Sequence, residues 1–284
     1  MPSFTAACVQ LRSGKTILEN ADNAEALIRA AAGEGAKYVQ TPEMSNVLVR
    51  SREELFERIL SGQEDLFLTR AKSLAAELGI YLHLGSLAVL RQNGKVANRA
   101  FLIAPDGEVA ASYDKIHMFD VDLPNGESWR ESQTYEPGTQ TVVADLPYAK
   151  FGMAICYDVR FPAIFRTQAR AGAQVLTGPA AFTRQTGKAH WHVLQRARAI
   201  ENGAYVISAA QGGTHEDGRE TYGHSLVVDP WGVVIAELAN DEPGYVLAEI
   251  DTENVAKARA RIPAIANERD FELLHAKALK EMPA

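Results

Sequence analysis

Apolar positions along the chain switch between two spacings, and the switches mark out its elements. Phe4 to Val9 is a short apolar run bounded by polar residues and reads as a strand. From Thr16 to Ala32 the apolar residues Ile17, Leu18, Ala21, Ala24, Leu27, Ile28 and Ala31 recur at helical spacing, and Gly33 and Gly35 offer C-cap positions. Lys37 to Gln40 is a second strand running into Thr41-Pro42-Glu43, and Asp65 to Leu78 is a helix stopped by Gly79. Ile80 to Leu90 and Val96 to Ile103 pair as a hairpin through Gln92-Asn93-Gly94. The turn Pro105-Asp106-Gly107 precedes a strand from Glu108 to Tyr113.

Periodicity is lost from Met118 to Gly138, a long irregular stretch of the kind that carries function in a compact domain. It resumes with strands at Thr141 to Asp145 and Phe151 to Cys156 and a helix from Pro162 to Ala171, where proline suits the first turn. Val175 to Thr177 is a strand, and Lys188 to Asn202 a helix with Trp191, Leu194, Ala197, Ala199 and Ile200 as its apolar contacts and Gly203 as its stop. Four more strands follow: Tyr205 to Ala210, Tyr222 to Val228, Val233 to Leu238 and Tyr245 to Ile250. Asp251 caps a last helix to Arg261. Hairpins and crossovers both occur, so the pattern predicts one α/β domain of mixed strand direction. It shows no internal repeat.

Composition narrows the function classes. The chain has 284 residues, 46% hydrophobic and 23% charged, with a net charge of −7. That balance argues against nucleic acid or an anionic membrane as the main partner. The N-terminus has no signal-peptide pattern and no apolar run is long enough to span a bilayer. Two cysteines, Cys8 and Cys156, make neither a disulfide framework nor a zinc site, which suits the cytoplasm. The pair His190 and His192 lies two apart on a predicted helix and faces different ways, a poor metal pair. His215-Glu216-Asp217 reads as a solvated loop. No phosphate loop or dinucleotide fingerprint is present, and no cofactor or metal is expected.

Three reactive side chains follow predicted strands: Glu43, Lys115 and Cys156. Ligands of α/β sheets bind beyond the carboxyl ends of strands, so these three would meet if their strands were neighbours. A thiol becomes an effective nucleophile beside a base or a cation, a role Glu43 and Lys115 could fill without a histidine. The Tyr157 N–H, at the turn after Cys156, would donate to an oxyanion. Taken alone, each residue has a plainer reading. Strand cysteines are commonly inert core, as is expected of Cys8; Glu43 could be a turn carboxylate and Lys115 a surface lysine. A redox role for Cys156 lacks a resolving cysteine.

The motifs TPEMSN around Glu43, SYDKIHMFD around Lys115 and FGMAICYDVRFP around Cys156, in this order, resemble the carbon–nitrogen hydrolase family, or nitrilase superfamily. The likeness continues through VLTGPAAFTRQTGKAHWHVLQRARAIEN and YGHSLVVDPWG, and it spans the first strand to about Phe271. The resemblance implies a four-layer α-β-β-α sandwich over a single domain, 1–284, with its core at about 3–271 and a tail at 272–284. It implies Glu43 as general base, Lys115 as stabiliser of the oxyanion and intermediate, Cys156 as nucleophile and a homodimer or higher homo-oligomer built through the helices at Pro162 to Ala171 and Lys188 to Asn202. It also implies a second glutamate before a Pro-Gly turn, for which Glu131 fits better than Glu127 or Glu136.

Within the family the chain looks most like the branch of deaminated glutathione amidases and omega-amidases. The implied substrate is a small carboxylate-bearing amide. Arg160 and Arg184 are then the candidate cations, with Tyr157, Phe182 and Thr183 in the pocket. Arg160 could equally pair with Asp158. A carbamoylase on the same triad and a non-catalytic scaffold of the same fold are the alternatives.

Overall fold

A computed structural model describes residues 3–59, 65–123, 126 and 128–275. Glu127 and the last nine residues of the expected tail lie outside them. Two six-stranded sheets carry the fold. The first contains β1 (Phe4–Gln10), β2 (Tyr38–Gln40), β3 (Tyr81–Leu90), β4 (Val96–Ile103), β5 (Val109–Asp114) and β16 (Gly244–Ile250), in the order β16-β1-β2-β3-β4-β5. The strands β6 (Asp120–Asp122) and β7 (Ser128–Arg130) form a separate hairpin. The second sheet contains β8 (Val142–Asp145), β9 (Lys150–Met153), β10 (Val175–Thr177), β11 (Tyr205–Ser208), β14 (Leu226–Val228) and β15 (Val234–Glu237), ordered β15-β14-β11-β10-β9-β8. Another small hairpin joins β12 (Gly212–Thr214) to β13 (Glu220–Tyr222).

Both sheets share one plan. Three parallel strands, β1-β2-β3 or β9-β10-β11, are flanked by one antiparallel strand on one side and by an antiparallel hairpin on the other. The period-two rule explains the stacking. In β1, Phe4, Ala6 and Cys8 face the second sheet, in a cluster with Phe151, Val175 and Val206. The alternate residues Ala7 and Val9 pack with Ile28 and Ala31 of α1 (Ile17–Gly33). With both faces buried, the strand reads as a nearly unbroken apolar run. A further helix, α2 (Arg52–Ile59), covers the site loop, and α3 (Leu66–Leu78) lies beside α1. On the far side α4 (Pro162–Arg170) and α5 (Arg184–Asn202) close the second sheet, and α6 (Glu253–Arg261) follows β16. The layers are therefore α-β-β-α. Among the described residues no helix is long and apolar enough to cross a membrane.

Several expectations need correction. The strand read as Phe151 to Cys156 ends at Met153, because Asp158 accepts the Ile155 N–H and turns the chain into a 3-10 helix, Cys156–Arg160. The irregular stretch 118–138 contains β6, β7 and a 3-10 turn at Glu131–Gln133. Helix α5 starts at Arg184, not Lys188. A Cβ at its early residue Gly187 would come within 2.3 Å of Tyr222, so close packing explains a glycine inside the helix. His215 is buried, its ring bonded to Ser13 O and Thr221 Oγ1, and the Asp217 side chain is also enclosed, so of that segment only Glu216 is exposed to solvent as expected.

Candidate active site

Glu43 and Lys115 come from the first sheet, following β2 and β5, and Cys156 from the second, three residues past the end of β9. The loop carrying Glu43 is held by a dense set of bonds. Ser45 Oγ donates to Pro42 O, Ser86 Oγ accepts from Met44 N, and Gln211 Nε2 donates to Glu43 O. Met44 and Cys156 both have positive φ, 56° and 48°, a region costly for side chains with a Cβ and one where functional sites concentrate. At Cys156 the conformation is held by its own N–H, which donates to Pro179 O at 2.8 Å. The Tyr157 N–H stands in the first turn of the 3-10 helix, with no acceptor inside that helix.

One buried aspartate ties the two halves together. Asp158 Oδ2 accepts from Tyr113 OH at 2.7 Å and Ile155 N at 2.9 Å, and Oδ1 from His117 N at 3.1 Å. It thereby clamps Tyr113 and His117, two residues to either side of Lys115, to the turn that presents Cys156. Arg160 is not its partner.

The convergence expected of the three residues is present. Lys115 Nζ donates to Glu43 Oε1 at 2.8 Å and to Glu131 Oε2 at 2.9 Å, and its side chain is 2% exposed. Cys156 lies beside the Glu43 carboxylate on the same cavity wall, close enough for the carboxylate charge to act on the thiol. Ala181 N donates to Glu43 Oε2 at 2.8 Å, and Phe119 N to Glu131 Oε2 at 2.6 Å. Asn98, on β4, went unnoticed in the sequence. Its Nδ2 donates to Glu43 Oε1 at 2.9 Å and to Glu131 Oε1 at 3.0 Å. An asparagine at an ordinary strand position carries no motif, so only topology reveals it.

These contacts set the resting protonation. Burial opposes ionisation of Glu43, but the Lys115 charge and the bonds it receives hold its carboxyl below the usual range. Burial would deprotonate Lys115, yet Glu131 and Glu43 keep its ammonium well above the ordinary value. Burial and then the Glu43 charge push the Cys156 thiol well up, against the pull of Lys115. The resting group is thus a neutral thiol beside a carboxylate. Cys8 is fully buried, its thiol pushed up to about 12 by burial, an inert core residue as expected.

Glu43, Lys115, Glu131 and Cys156 line the floor of a cavity of about 650 Å3, together with Tyr157, Phe182 and Thr183. The carbon–nitrogen hydrolase profile matches residues 5–260. The chain belongs to the carbon–nitrogen hydrolase family. It is 40% identical over 269 residues to the deaminated glutathione amidase of Synechocystis, covering 93% of this chain and 98% of that protein. It is 38% identical over 271 residues to human omega-amidase, covering 95% and 96% of the two chains. Its fold is similar to that of the Caenorhabditis elegans NitFhit protein, with a TM-score of 0.88 and 34% identity over 94% of this chain; the match spans 65% of that longer chain.

Two nominated residues of this carbon–nitrogen hydrolase lie apart from the cavity wall. Arg160 packs over the Tyr157 and Phe182 rings and reaches His190, and Arg184 pairs with Glu220 and Asp241. His192 turns away from His190, as expected, and bonds Glu237, which also accepts from His224.

Proposed function

We propose that the protein is an amidase that hydrolyses small carboxylate-bearing amides through a thioester on Cys156, with deaminated glutathione as its substrate, cleaved to 2-oxoglutarate and cysteinylglycine. The observation that carries this reading is Cys156 placed beside Glu43 in one cavity, with Lys115 clamped between Glu43 and Glu131. Because the thiol is neutral at rest, its proton passes to Glu43 as Sγ attacks the amide carbon. Lys115 Nζ and the Tyr157 N–H stabilise the oxyanion. The C–N bond breaks, and Glu43 returns the proton to the departing amine. Water then attacks the thioester, again giving its proton to Glu43, and the C–S bond breaks to release the acid and restore the thiol. Glu131 keeps Lys115 charged and orients the substrate nitrogen.

Omega-amidase action on 2-oxoglutaramate is the second reading, supported by the 38% identity to the human enzyme of that name. The test is kcat/KM on deaminated glutathione beside 2-oxoglutaramate, an N-carbamoyl amino acid and a simple amide. Strong preference for the first supports the assignment; preference for any other replaces the substrate. Cys156→Ala should abolish turnover, and full activity in that variant would overturn the mechanism. The scaffold alternative predicts thiol labelling indifferent to Lys115→Ala.

We also infer a homo-oligomer assembled through α5. Val193 and Ile200 on α5 and Trp231, Val233 and Ile235 beside it are large apolar side chains left exposed. The two unpaired cysteines suit a cytoplasmic setting.

A further inference from the structure

Two carboxylates, Glu43 and Glu131, stand against one ammonium, Lys115, at the cavity floor. That local excess of negative charge repels an anionic substrate unless cations lie further along the wall. Four arginines line it: Arg50, Arg52, Arg130 and Arg219. Arg130 is committed to Asp122, which it meets with both carboxylate oxygens, and Arg52 lies over Phe56. The other two are different. Arg50 and Arg219 each place the guanidinium over the ring of Trp129, 4.7 Å from its centroid. Among the described residues no carboxylate pairs with Arg50. Arg219 has only long contacts, 3.4 Å to Asp217 and 3.4 Å to Val49 O, and its Nε is buried without an acceptor.

Stacking on an indole covers the face of a guanidinium and leaves its N–H edge free, and that edge matches a carboxylate in two-point geometry. The stack also fixes the planes in advance, so less side-chain freedom is lost on binding. Its three members come from three excursions outside the large sheets: the segment before α2, strand β7, and the turn between β12 and β13. The reacting residues follow strands of the sheets themselves. Phe119, tilted against Trp129 and edge-on to Tyr157, joins the two regions along one aromatic wall.

We propose that Arg50 and Arg219, braced on Trp129, form a subsite for the substrate's distal carboxylate and so select amides with an anionic end remote from the scissile bond. This rests on the amidase reading and deepens it.

The test compares deaminated glutathione with its glycine carboxamide, which keeps the scissile amide and loses the distal charge. The wild type should favour the acid by about ten- to a hundredfold in kcat/KM, chiefly through KM. Arg50→Gln and Arg219→Gln should each raise KM for the acid about tenfold or more and narrow that preference, and Arg219→Lys should recover part of it. Equal losses on acid and carboxamide, or no preference in the wild type, would overturn the subsite. If deaminated glutathione is not turned over at all, the substrate reading fails, and the subsite is judged by protection of Cys156 against iodoacetamide. Alanylglycine should then protect better than alanylglycinamide, and the advantage should vanish in both Gln variants. Equal protection by the two dipeptides would reject the proposal.

Discussion

Glu43 must be ionised to accept the Cys156 proton, and its carboxyl lies below the usual range because Lys115 and its other donors outweigh the effect of burial. The sign follows directly: activity is present above that depressed pKa and is lost as pH falls through it. The acid limb of kcat/KM should therefore lie below pH 4.5, with a flat region through neutrality; a limb near pH 6 would contradict the assignment. Asn98 supplies a donor to both carboxylates, and bonds to charged groups contribute about 1.5–3 kcal/mol. Asn98→Leu should lower neutral-pH kcat by roughly ten- to a hundredfold and move the acid limb upward. An unmoved limb would show that Asn98 does not tune Glu43. At this scale the sequence is readable only where a motif marks the residue. Glu43, Lys115 and Cys156 stand in recognisable stretches, and Glu131 before a Pro-Gly turn. Asn98, Arg50 and Arg219 have no fixed spacing to them, because the topology that unites them is invisible in linear order. The left-handed backbone of Cys156 is equally hidden.

Between elements the tightest approach is at Gly85 of β3. A Cβ there would lie 2.1 Å from Thr41 O, 2.6 Å from Pro42 O and 2.5 Å from Pro179 Cβ, touching the loops of both sheets that frame the site. Overpacking against backbone costs about 1–3 kcal/mol. Gly85→Ala should lower the melting temperature by several degrees and reduce activity even at temperatures where the variant is folded, since the Glu43 loop has to move. Retained kcat with a lowered melting temperature would separate the two effects. The elements themselves were legible where their pattern was long. Helices α1 and α3 show helical periodicity, Asp65 caps α3 through Leu68 N, and Asn93-Gly94 marks the β3–β4 hairpin. Helix α2 escaped because only Leu55 of its eight residues is buried, leaving no apolar stripe to read. The three-residue strands β6 and β7 are too short for alternation to register.

Across the whole molecule the apolar face of α5 and its neighbours predicts self-association. Val193, 68% exposed, stands on this face, with Ile200 and Trp231 each 52% exposed. Sedimentation velocity should show an oligomer for the native protein and a shift towards monomer for Val193→Glu, with an unchanged melting profile at low concentration. A native monomer would exclude this assembly. The layered plan was readable from alternation of elements and from the resemblance together. The division of the reactive residues between two sheets was not, because it depends on which face of each sheet meets the other. That division, with the pairing of β1 and β16 from Phe4↔Ile250 to Gln10↔Gly244, has a consequence for biosynthesis. Strand β1 waits for β16, far later in the chain, before its sheet is complete, and a contact of such sequence separation forms slowly. During translation a nascent chain can bury most of the second sheet's strands while the first sheet still lacks one edge. Catalytic competence then arrives only at the close of folding, so the recovery of turnover after dilution from denaturant would time the final docking step.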